Sequence, residues 1–236
     1  MGMGQLESEL SIDLQMPDKY RKSETISRTP DSYFTTIQIV NGGEVSADSE
    51  SSTSGMMFNP AGMMQSTPEM KASMERGVRA EFARTMLVLL LSSPAGFPLE
   101  FSYAGVEDVS GKPADVLEAK GPEGFAARLF LDQKSHLPVL LSYKEKMRGN
   151  IQFRANSSES REEIQKRMQE MMAKSAETER EVEFQLQILY HRKTGGILFP
   201  HKVIRKTGER VSEEREYSKF KINPELKPER FKKKEQ

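Results

Sequence analysis

Cysteine is absent from the 236 residues. That removes disulfides, thiolate zinc sites, iron–sulfur clusters and cysteine nucleophiles together. Tryptophan is absent as well, and histidine is scarce: His136, His191 and His201 are the three in the chain. They are too scattered for a His-rich metal site, and solvated or packing roles are their simplest readings. An excess of either charge is also missing. Lys+Arg is 35 and Asp+Glu is 35, so the formal net charge is zero, which argues against a protein that coats nucleic acid. Long apolar runs are lacking too. The most apolar stretch, Met86 to Leu91, falls far short of the roughly 20 residues of a spanning helix.

The usual catalytic signatures are missing. There is no G-x-S-x-G elbow, H-E-x-x-H, P-loop, EF-hand loop or dinucleotide fingerprint. Ser218 and Lys221 have the spacing of a Ser/Lys dyad. They fall in an expected strand, where residues three apart point to opposite faces. The adjacent carboxylates Glu107 and Asp108 diverge for the same reason. The expectation is a non-enzyme with no metal, no cofactor and no catalytic residue.

What is present is alternation. Leu6, Ser8, Leu10, Ile12, Leu14 and Met16 fall on one face, and Glu7, Glu9, Ser11, Asp13 and Gln15 on the other. This is a half-buried strand. Pro17-Asp18 marks a turn, Tyr20 to Arg28 returns, and Tyr33 to Val40 makes a third strand before the hairpin signal Asn41-Gly42-Gly43. Composition then shifts to Ser, Thr, Gly and Met, and residues 46–66 read as a flexible, Met-rich loop. Pro68 opens a helix to about residue 92, with Met70, Met74, Val78, Phe82, Met86 and Leu89 at near-four-residue spacing. Its last turn is apolar all round, which predicts burial.

Four more strands follow, over residues 99–109, 114–120, 125–132 and 137–146. Residues 157–180 interrupt the rhythm with a charged, amphipathic helical insertion whose apolar stripe is Ile164, Met168, Met171 and Met172. Strands then resume over 182–190, 197–206 and 211–222, and residues 232–236 form a tail expected to fray. This rhythm predicts an antiparallel, strand-dominated sandwich or barrel. Fourteen Met is a high count, and Met56, Met57, Met63, Met64, Met70 and Met74 cluster. Such a cluster is either helix core or an adaptable lining for an apolar ligand.

An ordered set of local matches resembles the outer-membrane lipoprotein carrier superfamily, which is LolA/LolB-like and includes RseB-type N-terminal domains. The matches are Pro17-Asp18-Lys19-Tyr20-Arg21, Asn41-Gly42-Gly43, Leu129-Phe130-Leu131-Asp132 with Leu137-Pro138-Val139, Gly196 through His201, and Phe220-Lys221-Ile222-Asn223-Pro224 through Phe231. Met16 stands where the carriers often have Arg before that Pro, and no Trp follows the Asn-Gly hairpin.

The resemblance implies one α+β domain over residues 1–236, a highly curved, half-open antiparallel sheet or incomplete barrel with helices packed on its concave face. It implies a cavity for acyl chains or lipidated proteins, a periplasmic setting, and an export signal removed ahead of Met1-Gly2-Met3-Gly4. Mapped onto this chain, the expected lining is Leu10, Ile12, Leu14, Met57, Met70, Met74, Phe82, Met86, Leu90, Phe101, Tyr103, Leu129, Phe184 and Leu186. A membrane-associated partner is also expected, and no nucleic acid. The competing readings are a regulatory or interaction module that binds a partner protein through the same sheet, and a hydrolase with an unrecognised site.

Overall fold

The computed structural model describes residues 7–29, 32–52, 68–147 and 178–233, with scattered positions between 163 and 174. Among the described residues, eleven strands fall into two antiparallel meanders separated by one long helix. The first sheet has the order β1 (Ser8–Gln15), β2 (Lys19–Thr29), β3 (Ser32–Asn41), β4 (Glu44–Ser51). Helix α1 (Pro68–Leu90) follows. The second sheet has seven strands: β5 (Glu100–Val109), β6 (Lys112–Lys120), β7 (Ala126–Asp132), β8 (Pro138–Met147), β9 (Arg180–Thr194), β10 (Ile197–Thr207) and β11 (Arg210–Glu216). Among the described residues neither sheet closes, and β1, β4, β5 and β11 are the edges. The fold is strand-dominated α+β, and among the described residues an incomplete, unclosed sheet system packs around α1.

Strand β4 corrects the sequence reading. It runs to Ser51 and so takes up the first residues of the stretch read as a loop. Its serines and acids are poor strand formers. The full ladder with β3, from Asn41↔Glu44 to Phe34↔Ser51, supplies what propensity does not. Met57 and the rest of residues 53–67 lie outside the described residues, as does most of the insertion. Its described positions from Glu163 to Lys174 are helical, and Ile164 is buried. Strand β11 ends at Glu216, short of the expected Ile222.

Both sides of α1 pack. Val78, Phe82 and Met86 meet Tyr20, Val40, Ile12, Leu14 and Val45 of the first sheet. Ala80, Ala83, Leu87 and Val88 meet Leu129, Leu141, Tyr143, Phe184, Leu186 and Val203 of the second. Tyr20 stacks on Phe82 with ring centroids 4.9 Å apart. Arg79 Nη2 donates to Gly43 O at 2.6 Å, fixing α1 to the β3–β4 turn. A helix apolar on two sides belongs between layers, not on a surface. Left-handed Leu91 (φ 50°) ends the helix, and it is exposed while Leu87 and Val88 are buried.

Candidate binding surface between the sheets

The register of the second sheet lines up one residue from each strand: Tyr103, Leu117, Leu129, Leu141, Leu186, Arg205 and Glu213. Directly opposed residues share a face, and this face is turned to α1. The row has three parts. Its middle, Leu129, Leu141 and Leu186, is buried under the helix. Its β11 end is charged. Its β5 end lies beyond the helix, where Tyr103 is 63% exposed, Phe101 48% and Val106 50%.

A bulge places Val106 in that group. Tyr103 pairs Leu117 and Gly105 pairs Val116, so Ala104 is an extra residue on β5. Gly105 takes up the turn with φ 108°. Without the bulge, strict alternation from Tyr103 would put Gly105 on the inner face. With it, Val106 opposes Asp115 and falls on the face of Phe101 and Tyr103. Tyr103 Oη donates to Asp115 Oδ1 at 3.3 Å. The result is an apolar ledge continuous with the half-buried Leu117 and Leu131.

The charged end clamps the helix. Lys22 Nζ donates to Glu81 Oε1 at 3.1 Å, and Arg84 pairs with Glu145 of β8. The Arg84 guanidinium lies 3.7 Å from the Tyr143 ring centroid. Arg205 donates to Tyr143 Oη at 3.1 Å, and Arg215 binds both oxygens of Glu213. Burial pushes the Glu81 carboxyl up, but Lys22, Arg215, Arg84 and Arg205 outweigh it and hold it at about 2. Glu81 is therefore ionised at neutral pH and has no proton to donate. The Arg215 guanidinium is opposed by burial but raised by its hydrogen bond to Glu213. This arrangement orients and holds.

The expected lining residues divide between surfaces. Ile12, Leu14, Phe82, Met86 and Leu90 share the cluster on the first sheet, with Leu10 half-buried on β1. Leu129, Phe184 and Leu186 lie in the cluster on the second sheet. Phe101 and Tyr103 form the ledge, and Met70 and Met74 are on the exposed first half of α1. Helix α1 stands between the two clusters, so the structure does not bring these residues around one open space.

A cavity of about 510 Å³ lies instead behind the first sheet. Its floor is Ile37 and Ile39, and Leu226 of the C-terminal segment walls it. Arg21, Asp48, Glu225 and Arg230 are among its charged groups. Phe231 buries its ring against the same two isoleucines. Sequence reasoning passed over this surface, although β3 carries the signal. Ile37, Ile39 and Val40 put apolar residues on both faces of the strand, which requires a cover on each side.

No protein-family model and no curated relative matches the chain. Solved structures do. One is a domain described as that of an outer membrane lipoprotein-sorting protein from Vibrio parahaemolyticus. It has 11% identity and a TM-score of 0.41, over 92% of this chain and 80% of that one. Another is a LolA superfamily protein from Nitrosomonas europaea, at 10% identity and a TM-score of 0.41, over 97% and 88% of the two chains.

Proposed function

We propose that this is a non-enzymatic, extracytoplasmic binding protein that holds an acyl chain or a lipidated protein against the inner face of its second sheet. The chain enters over Phe101, Tyr103 and Val106 and advances as α1 yields. The observation that carries this reading is the continuity of the exposed ledge, through the half-buried Leu117, with the buried Leu129 and Leu141. Contiguous exposed apolar surface rimmed by polar groups marks a binding site. Each methylene buried contributes about 0.8 kcal/mol, which offsets the cost of lifting Ala83, Leu87 and Val88 of α1 from the row.

The test is titration with a dansyl-labelled fatty acid. The wild-type chain is expected to enhance its fluorescence saturably. The Phe101→Glu/Tyr103→Glu double variant is expected to bind about tenfold more weakly or not at all, with an unchanged melting temperature, because both residues are surface-exposed. Absence of binding by the wild-type chain overturns the proposal.

A second reading, a module that binds a partner protein, has its own support. Strand β5 is ten residues long and is the edge of its sheet. Its free N–H and C=O groups can accept another strand. A partner bound that way would slow amide exchange along β5, whereas an acyl chain on the inner face would leave its outer amides exchanging.

A further inference from the structure

The hairpin joining β9 and β10 carries a second exposed apolar surface, remote in function from the ledge. Its turn is Gly195-Gly196, with φ 56° and 89°, the left-handed pair that a two-residue hairpin turn requires. Ile222 packs on it so closely that a Cβ on Gly195 would sit 2.5 Å from Ile222 Cδ1. Phe220 stacks on Phe199 with centroids 4.6 Å apart, so the segment after β11 is fastened to the hairpin.

Ile197 and Leu198 at the tip are each 45% exposed. Being consecutive in a strand, they point to opposite faces, so no single packed layer could cover both. Around this tip stand cations. Lys193 is opposite Leu198 and Arg192 opposite Phe199, while Lys219 and Lys221 flank Phe220. All four are exposed, and none forms an ion pair among the described residues. Arg192 contacts His201 Nε2 at 3.1 Å. Lys202, by contrast, is paired with Glu214, and Glu216 and Glu225 lie further along the chain.

We infer that this tip docks on an anionic lipid surface: Ile197, Leu198 and Ile222 enter the acyl boundary while Arg192, Lys193, Lys219 and Lys221 meet the headgroups. The β9–β10 ladder pairs the inward backbone groups of the tip, and the outward groups of its two strands need only reach the hydrated headgroup region, because an interfacial element does not cross the hydrocarbon core. From Ile197 to the level of Phe199 the strand rises about 7 Å, within the roughly 5–10 Å to which interfacial elements sink. Unpaired lysines and arginines at that depth snorkel to the phosphates and add attraction that salt weakens.

The chain has no tryptophan, so Leu198→Trp provides a single reporter at the tip. Its emission should shift to the blue when vesicles of phosphatidylcholine with phosphatidylglycerol are added, and not with phosphatidylcholine alone. In co-sedimentation with the same vesicles, Ile197→Asp/Leu198→Asp and Lys219→Glu/Lys221→Glu are each expected to weaken association of the full chain about tenfold or more. Circular dichroism and fatty-acid binding at the ledge should be unchanged. Failure of the wild-type chain to sediment with anionic vesicles overturns the inference, as does binding by either variant as tight as that of the wild-type chain. So does a concentration-dependent dimer that Leu198→Asp dissolves, which would make the tip a self-association surface.

Discussion

Lys22 and Glu81 join the first sheet to the helix at 3.1 Å, and one turn later Arg84 joins the same helix to Glu145 of the second sheet. The ion pairs hold α1 from both sides at one level. Removing one member of such a pair leaves its partner buried and uncompensated. Glu81→Gln should therefore cost about 3 kcal/mol or more in urea unfolding near neutral pH.

The pH dependence follows from the same group. The Glu81 carboxyl lies at about 2 in the folded chain against an ordinary 4.5. A folded-state value below the unfolded one means that its contribution is fully present above about pH 5 and is lost as pH falls towards about 2. Urea midpoints of the wild-type chain should drop across that window, and those of Glu81→Gln should drop less. Parallel curves for the two would count against this electrostatic role.

Arg84 tests a different property of the clamp. Its planar guanidinium lies on the Tyr143 ring and also reaches Glu145 and Glu81. Lysine keeps the charge but cannot stack and fork at once. Arg84→Lys is expected to destabilise by about 1–2 kcal/mol, and Arg84→Ala by about 3–5 kcal/mol, because it strands Glu145 and Glu81.

The strands were legible wherever one face is apolar and the other polar. Phe184, Leu186 and Ile188 alternate with Glu183, Gln185 and Gln187, and β9 lies where that alternation puts it. Helix α1 was legible from its spacing and from Pro68. What was not legible depends on long-range pairing. Strand β4 has only Val45 and Ala47 to mark an inner face, and it exists through its ladder with β3. The division into two sheets leaves no local trace either. The Tyr103 end of the inner row stays open because α1 ends its reach at Leu117, a fact of packing that alternation does not encode. The cavity under the C-terminal segment brings Leu226 to Ile37, across almost the whole chain.

Because α1 has two packed sides, neighbouring positions on it should be equally sensitive. Met86 faces the first sheet and Leu87 the second, and both are fully buried. On a surface helix one of two adjacent positions is usually tolerant. Here Met86→Ala and Leu87→Ala should each cost about 2–5 kcal/mol in chemical denaturation.

Phe231 is 1% exposed although it lies near the chain's end. It covers Ile37 and Ile39, and Lys19 Nζ is 6.0 Å from its ring centroid. Phe231→Ala is expected to cost about 3–5 kcal/mol and to loosen the segment that walls the cavity. Thermal melting checks the first effect, and faster amide exchange in β3 the second.

The bulge in β5 links register to binding. Gly105 holds φ 108°, a conformation that a β-branched residue adopts at a cost of about 1–3 kcal/mol. Gly105→Val should therefore push the strand out of its bulge. With Ala104 still present, strict alternation then turns Val106 away from Phe101 and Tyr103 and breaks the ledge. Deleting Ala104 removes the extra residue itself. The strand straightens, Val106 returns to its pairing with Asp115, and residue 105 regains extended geometry that valine favours. The expected pattern is compensatory: Gly105→Val alone loses fatty-acid binding, and the same substitution combined with deletion of Ala104 recovers it. Simple steric blockage at position 105 predicts the opposite, because the added side chain is present in both proteins. Titration of the two variants, with melting temperatures to confirm that each is folded, decides between the two accounts.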